Sequence, residues 1–570
     1  MPQHFTKPFD MKKIFYLALA VIVLNGCHFG NDKVDMIIHN AIIYTMDEEG
    51  TKEDAMAIKD GIIVAMGPER EIMNQYDAPI IYDAKKRAIY PGFIDGHCHF
   101  LAYGLMLQDA DLTDTKSFDQ VLDKLKSYAP GRLSEWIIGR GWDQNDWGNT
   151  DAADQNSMST EFPSKERLDS LFGTTPVYLS RIDGHAVLVN SIVLEMAGIN
   201  ASTAVPGGIV EVKNGKCTGI LIDKAIDLVN KIMPERTSEE KVKALKLAQD
   251  KCFQVGLTTV DEAGLIYKDV QLIDSLQKAN VLKMRVYAML SDDSLNYVHY
   301  LNQGIDTSSR MLTVRSFKFY ADGALGSRGA CLLSPYEDLL RQGKKDYGML
   351  LDKPEYFKQR AQQLNAAGFQ MNTHAIGDSA NRTILYIYKE VLGGVNDKRW
   401  RIEHAQVLAK EDMNMFRENS IIPSVQPTHA TSDMPWAWQR LGKVRVGRAY
   451  IYKELLDQNG LLALGTDFPV EGISPMATFY SAVVRKDNNG MPEGGFQMEN
   501  AISRREAMMG MTIWNALSNF EDSYKGSLQV GKVADFVVMD RDVMKCDESQ
   551  IKESEVVLTV IDGEVVWERK

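Results

Sequence analysis

Eight short runs of apolar, β-branched or aromatic residues recur through the middle of this chain, separated by stretches of helical character. They are Ala88–His97, Leu257–Asp261, Met284–Leu290, Val314–Tyr320, Phe369–His374, Arg399–Glu403, Ile421–Gln426 and Leu461–Gly465. Such alternation argues for a parallel sheet with helices outside it, because a parallel neighbour is reached only by a crossover. Eight βα units close on themselves as a (β/α)8 TIM barrel, an α/β fold whose active site lies at the C-terminal strand ends. At 570 residues the chain is long enough for that barrel and accessory parts.

The flanks have another rhythm. Val34–Ile38, Ala41–Met46, Ala55–Lys59 and Gly61–Met66 read as short strands, with Asp60-Gly61 as a hairpin turn. Ala534–Met539, Val556–Ile561 and Glu564–Trp567 read likewise, with Asp562-Gly563 as the turn. The expected organisation is a small β-sandwich from residues 33–87 and 525–570 enclosing a barrel over 88–524. The gap between the first two barrel runs is too long for one βα unit, so an insertion is expected over about 104–255. It contains Gly139–Trp147, Arg181–Asn190 and a turn at Pro206-Gly207-Gly208. Aromatic and charged residues crowded around glycines suit either a lid over a pocket or a structural loop anchored by Trp142 and Trp147.

Met11-Lys12-Lys13 followed by the apolar Ile14–Leu24 has the shape of an export signal. Its end, Leu24-Asn25-Gly26-Cys27, resembles the lipobox of bacterial lipoproteins. Residues 1–27 are then a signal peptide with a lipidated Cys27, and the protein sits in the bacterial cell envelope, anchored to a membrane by lipid. Plain secretion or an uncleaved anchor are the alternatives. Export makes disulfides possible, but Cys98, Cys217, Cys252, Cys331 and Cys546 show no paired spacing and read mostly as free thiols. A net charge of -13 argues against nucleic acid as a partner.

The strand ends carry the chemistry. Run one ends in His97-Cys98-His99, and alternation along a strand puts both histidines on one side. Alone, an H-x-H is as readily two ordinary histidines as a metal grip. Run four carries Lys318, run five ends in His374, run six in Glu403-His404, and run eight leads into Gly465-Thr466-Asp467. Five strand ends delivering these residues to one mouth point to hydrolytic metal chemistry. Neutral imidazoles and a carboxylate suit zinc or an equivalent divalent ion with a position left open for water. The metal lowers the pKa of water from about 15.7 to about 7. A carboxylate beside it can take the proton and pass it to a leaving nitrogen.

The strings PGFIDGHCH, GRGWD, RIDGHAVLVNS, FYADGALGSR, THAIGD, RIEHAQ, GTDFPV and GSLQVGKVADFVVMD resemble the amidohydrolase superfamily. The resemblance is strongest to its amidohydrolase-3 branch, which includes N-substituted formamide deformylases, and it covers Lys33 to Trp567. It implies a barrel flanked by a small β-sandwich. It implies that His97 and His99 bind one metal, His374 and His404 a second, and Lys318 bridges them as a carbamate. Asp467 is then a ligand and the general base. One or two ions fit the superfamily. A buried lysine has a lowered pKa and can react with CO2; the alternative is Lys318 paired with Asp322. His185 and His429 lie in family-like strings; either could contact substrate or hold an oxyanion, and neither is placed among the catalytic residues. The implied activity is metal-dependent hydrolysis of a C–N bond in a small-molecule amide. Ester or lactone hydrolysis on the same centre is the near alternative, and a lipid-anchored, non-catalytic binding protein the distant one.

Overall fold

Each of the eight runs contains a strand of one parallel sheet in the computed structural model, which describes residues 31–131, 135–147 and 161–570. Phe93–Cys98, Leu257–Leu265, Arg285–Ser291, Leu312–Tyr320, Gln370–Ala375, Arg401–His404, Ile422–Val425 and Ala463–Leu464 pair in sequence order. Every pairing is parallel, and helices lie between most of the strands. The near-closed sheet is a TIM barrel. The export-signal and Cys27 readings lie outside the described residues. Among those residues, no helix is long and apolar enough to cross a membrane.

The seam between the eighth and first strands is closed without a regular ladder. Asp467 N donates to His97 O at 2.8 Å and His99 N to Phe468 O at 2.8 Å. Asn515 Nδ2 bridges Ile94 O at 2.7 Å and Leu464 O at 2.8 Å. A Cβ on Gly465 would stand 2.5 Å from His97 N, so only glycine lets the two strands approach this closely. The seam thereby sets Asp467 beside His97.

The first run proves to be two strands. Ala88–Pro91 pairs with Phe536–Met539 and Ile42–Tyr44 in a six-stranded mixed sheet, and only Phe93–Cys98 enters the barrel. Pro91 and Gly92 are the hand-over, since proline breaks a ladder. That sheet faces a four-stranded one of Ile62–Gly67, Ala55–Lys59, Met36–His39 and Ile80–Asp83. The core between them takes Ile38, Ile43 and Ile58 from one end of the chain and Phe536, Val538 and Leu558 from the other. The buried Arg285 joins this unit to the barrel, its Nε 2.6 Å from Asp535 Oδ2.

The inserted segment is a folded domain whose stretches around Arg140 and Arg181–His185 lie over the barrel mouth. Helix Ser238–Gln254, opened by a Thr237/Glu240 capping box, packs on helix Phe100–Met106 and belongs to the barrel wall. Gly104 permits that contact: a Cβ there would lie 2.1 Å from Ala244 O. The remainder carries a six-stranded mixed sheet, ordered Ala110–Asp111, Ile137–Trp142, Val177–Arg181, Ala186–Val189, Lys216–Asp223, Gly208–Lys213. It has apolar cores on both faces, one containing Trp142, Leu179 and Leu188, the other Val187, Val189 and Leu221. The local pattern around the glycines hid strands that are completed only by distant partners. Among the described residues all five cysteines are free, with Cys217, Cys331 and Cys546 only half-buried.

Candidate metal centre

His97, Lys318, His374, His404 and Asp467 converge at the C-terminal mouth of the barrel, none more than 5 % exposed. The tightest group is His97, His404 and Asp467, whose ligand atoms all lie within 4.8 Å of one another. His99 follows the first strand and approaches Asp467 Oδ1 through Nε2 at 3.3 Å. His374 joins through its ring, 4.5 Å from that of His404, and Lys318 Nζ lies 3.1 Å from His97 Nε2. His404 and Asp467 hold positive φ, 72° and 62°, at their strand ends. Such backbone persists only where the surroundings enforce it, and it turns both side chains into the mouth.

Protonation suits a metal. Burial lowers the His97 pKa to about 4, helped by the Lys318 charge, and holds His374 and His404 well below their ordinary value. The imidazoles are therefore neutral, which is the ligand form. Burial works to raise Asp467, but the His99 hydrogen bond and the imidazoles of His97 and His404 outweigh it and hold the group well below the carboxylate range. Burial brings Lys318 down to about 8. Several neutral nitrogens and one carboxylate in a small enclosed space fit a divalent ion of zinc type. His429 adds a buried Nε2 with no hydrogen-bond partner among the described residues, 3.7 Å from Asp467 Oδ2.

The ligands are aimed from behind. His97 Nδ1 meets Glu403 Oε2 at 2.5 Å, and His404 Nδ1 meets Gln426 Oε1 at 2.8 Å. Both partners only accept, so each Nδ1 carries the proton and leaves Nε2 free for a metal. Glu403 is fixed by Arg401, Nε to Oε1 at 2.7 Å, and Arg401 Nη1 reaches Asp261 at 3.0 Å. These supporting groups were missed in the sequence. The pattern Arg401-x-Glu403 on one strand face hints at an internal ion pair, but nothing local announces that it supports His97. Lys318 does not pair with Asp322. That carboxylate accepts the amides of Ile376, Gly377 and Cys331 at 2.8–2.9 Å.

The insertion roofs a cavity of about 720 Å³ over these groups. His185 lies in its wall, with Nδ1 2.7 Å from Asp223 and its ring 5.2 Å from that of His374. His429 also lines it, its ring stacked at 5.8 Å on that of His404. Trp142 is instead a core anchor, with Nε1 donating to Leu179 O at 2.9 Å. Arg140 and Asp183 also face the cavity.

A barrel with these ligands at its mouth defines a metal-dependent hydrolase. The chain belongs to the amidohydrolase family, whose model matches residues 81–567. It is 31% identical over 549 residues to YtcJ of Bacillus subtilis (strain 168), covering 94% of this chain and 99% of that one. It is 25% identical over 564 residues to the N-substituted formamide deformylase of Arthrobacter pascens, covering 94% and 98%. Among solved structures it is similar to an uncharacterised metal-dependent hydrolase from Pyrococcus horikoshii OT3. That match has a TM-score of 0.71, 25% identity, and coverage of 90% of this chain and 99% of the other.

Proposed function

We propose that the protein hydrolyses a non-peptide C–N bond of a small amide, with zinc at the site and Asp467 as general base. The observation that carries this is the position of Asp467, within reach of His97, His99 and His429 at 3.3–3.7 Å. His97, His99, His374, His404 and Asp467 hold one or two ions, which supply Lewis acidity toward water and a carbonyl oxygen. Asp467 takes the proton of the attacking water and returns it to the departing nitrogen, which otherwise leaves as a poor anion. His185 and His429 both line the cavity and orient the substrate carbonyl. Lys318, brought down to about 8 by burial, has a larger share of neutral amine near pH 7 than an ordinary lysine. Its attack on CO2 forms an N–C bond and releases one proton, giving an anionic oxygen ligand.

Support for a C–N bond comes from the similarity to the formamide deformylase, since ester or lactone chemistry would use the same groups. The test is metal analysis combined with a panel of N-substituted formamides, N-acyl amines and matched esters. Amide turnover that disappears on chelation and returns with zinc is the expected result. Full metal with ester turnover alone would transfer the assignment to esters, and full metal with no turnover would favour a binding protein. The resemblance of Leu24–Cys27 to a lipobox supports a lipid anchor in the cell-envelope membrane as part of this proposal. Mass spectrometry of the mature N-terminus should find lipid on Cys27, and an unlipidated N-terminus would remove the anchor.

A further inference from the structure

Arg140 and Arg181 stand on adjacent paired strands of the inserted domain, Ile137–Trp142 and Val177–Arg181, and both line the cavity above the metal ligands. Their surroundings differ sharply. Arg181 is held by two carboxylates, Asp143 through Nη2 and Asp183 through Nη1, each at 2.5 Å, and by Gln144 at 2.9 Å. Arg140 has one hydrogen bond, from Nη2 to Ile182 O at 2.8 Å. Its Nε is buried with no partner, and among the described residues no carboxylate forms an ion pair with it. A half-buried guanidinium with no carboxylate bonded to it is costly to hold there, and a bound anion recovers part of that cost.

Among the described residues, no carboxylate around the cavity hydrogen-bonds Arg140, although Asp467 and Asp183 act on its charge from a distance. Asp143 and Asp183 are taken by Arg181, Asp433 by the Tyr450 hydroxyl at 2.8 Å, and Glu471 by Ser432 at 2.6 Å. Asp114 and Asp146 are exposed at the rim. Resting on the reading of the site as an amide hydrolase, we infer that the substrate carries a carboxylate, which Arg140 binds while the scissile amide lies over the metal ligands. Guanidinium recognises a carboxylate with strong, oriented hydrogen bonds. The neighbouring acids penalise a more highly charged oxyanion such as phosphate, which favours the monoanion. The substrate class is then an N-acyl amino acid or a similar amide bearing an acid group.

The experiment uses N-acyl amino acids, each paired with its neutral C-terminal amide, on zinc-loaded wild type and on Arg140→Gln and Arg140→Lys. Wild type should prefer the acid, chiefly through KM. The acid-to-amide ratio of kcat/KM should fall about 30-fold in Arg140→Gln, the scale of a charged hydrogen-bond pair, with part of it kept in Arg140→Lys. Equal losses on both members of each pair would make Arg140 a structural support of the Ile182 loop and overturn the inference. A binding arm separates this from the reaction itself: calorimetric titration of N-acetylglycine and of inorganic phosphate into wild type and variants. If no panel member is hydrolysed, the amide-hydrolase reading fails, while carboxylate binding lost in Arg140→Gln still upholds the recognition role. Phosphate binding more tightly than N-acetylglycine, or binding indifferent to Arg140, would overturn it.

Discussion

Behind the metal ligands, Arg401 is ion-paired with both Glu403 and Asp261. In front of them, on the inserted domain, Arg140 meets a single carbonyl, and Asp433 beside the cavity is held only by neutral donors. The two regions face one cavity and treat charge in opposite ways. The rear charges fix a geometry. Arg401 draws Glu403 well below its ordinary pKa against the effect of burial, and the carboxylate pins His97. Buried ion pairs add little net stability, so the use of this one is positional. The front leaves charges for a ligand to satisfy. On the inference above, the barrel sets the chemistry and the insertion the selection.

The largest expected effect is at the centre itself. Asp467→Asn keeps the size and one oxygen but removes the base. It should fold, retain part of its metal, and lose kcat by about 10² or more. Wild-type kcat in the purified, metal-loaded variant would make Asp467 a turn-capping residue, a role in which asparagine serves nearly as well. The next effect tests the rear. Glu403→Gln still offers His97 an acceptor but leaves Arg401 without its closest counter-charge. Metal affinity, measured by competition with a chelator, should fall about 10- to 100-fold. A lowered Tm with wild-type metal affinity would show that the ion pair supports the fold and not the ligand.

The same division governs what the sequence reveals. The barrel was legible because each strand carries its own apolar run and each ligand sits at the end of one, so local pattern and site coincide. His97, Lys318, His374, His404 and Asp467 could be found this way. The hand-over at Pro91-Gly92 is not legible as a change of sheet, because the partner Phe536–Met539 lies over 400 residues away. Glu403 sits in the motif RIEHAQ, but its role is hidden in the sequence, since its contact with His97 crosses 306 residues. The insertion was least legible. Ile137–Trp142 includes two glycines and an arginine and becomes a strand only when paired with Val177–Arg181. Arg140 and Arg181 look alike in sequence, and only the tertiary structure shows that one is matched and the other is not.

The smallest effect tests the front, through the pH dependence of stability. Asp433 is pushed up to about 7 by burial, with Glu471 and Asp143 adding to the rise and His429 and the Tyr450 hydroxyl opposing it. Its Oδ2 accepts from Tyr450 at 2.8 Å and from Gln406 Nε2 at 3.5 Å. An unfolded aspartate titrates near 3.9. The folded state therefore holds this proton more tightly than the unfolded state. The resulting stabilisation is fully present below about 4 and is lost as pH rises towards about 7. Asp433→Asn resembles the protonated acid at every pH and keeps an oxygen to accept from Tyr450. Its Tm relative to wild type should therefore rise between pH 5 and pH 7 and level off above that. A rear carboxylate such as Glu403, already ionised at pH 5, gives no such rise. If the two curves ran parallel from pH 5 to 8, Asp433 would be ionised in the fold throughout, and the contrast between a matched rear and an unmatched front would fail at this residue.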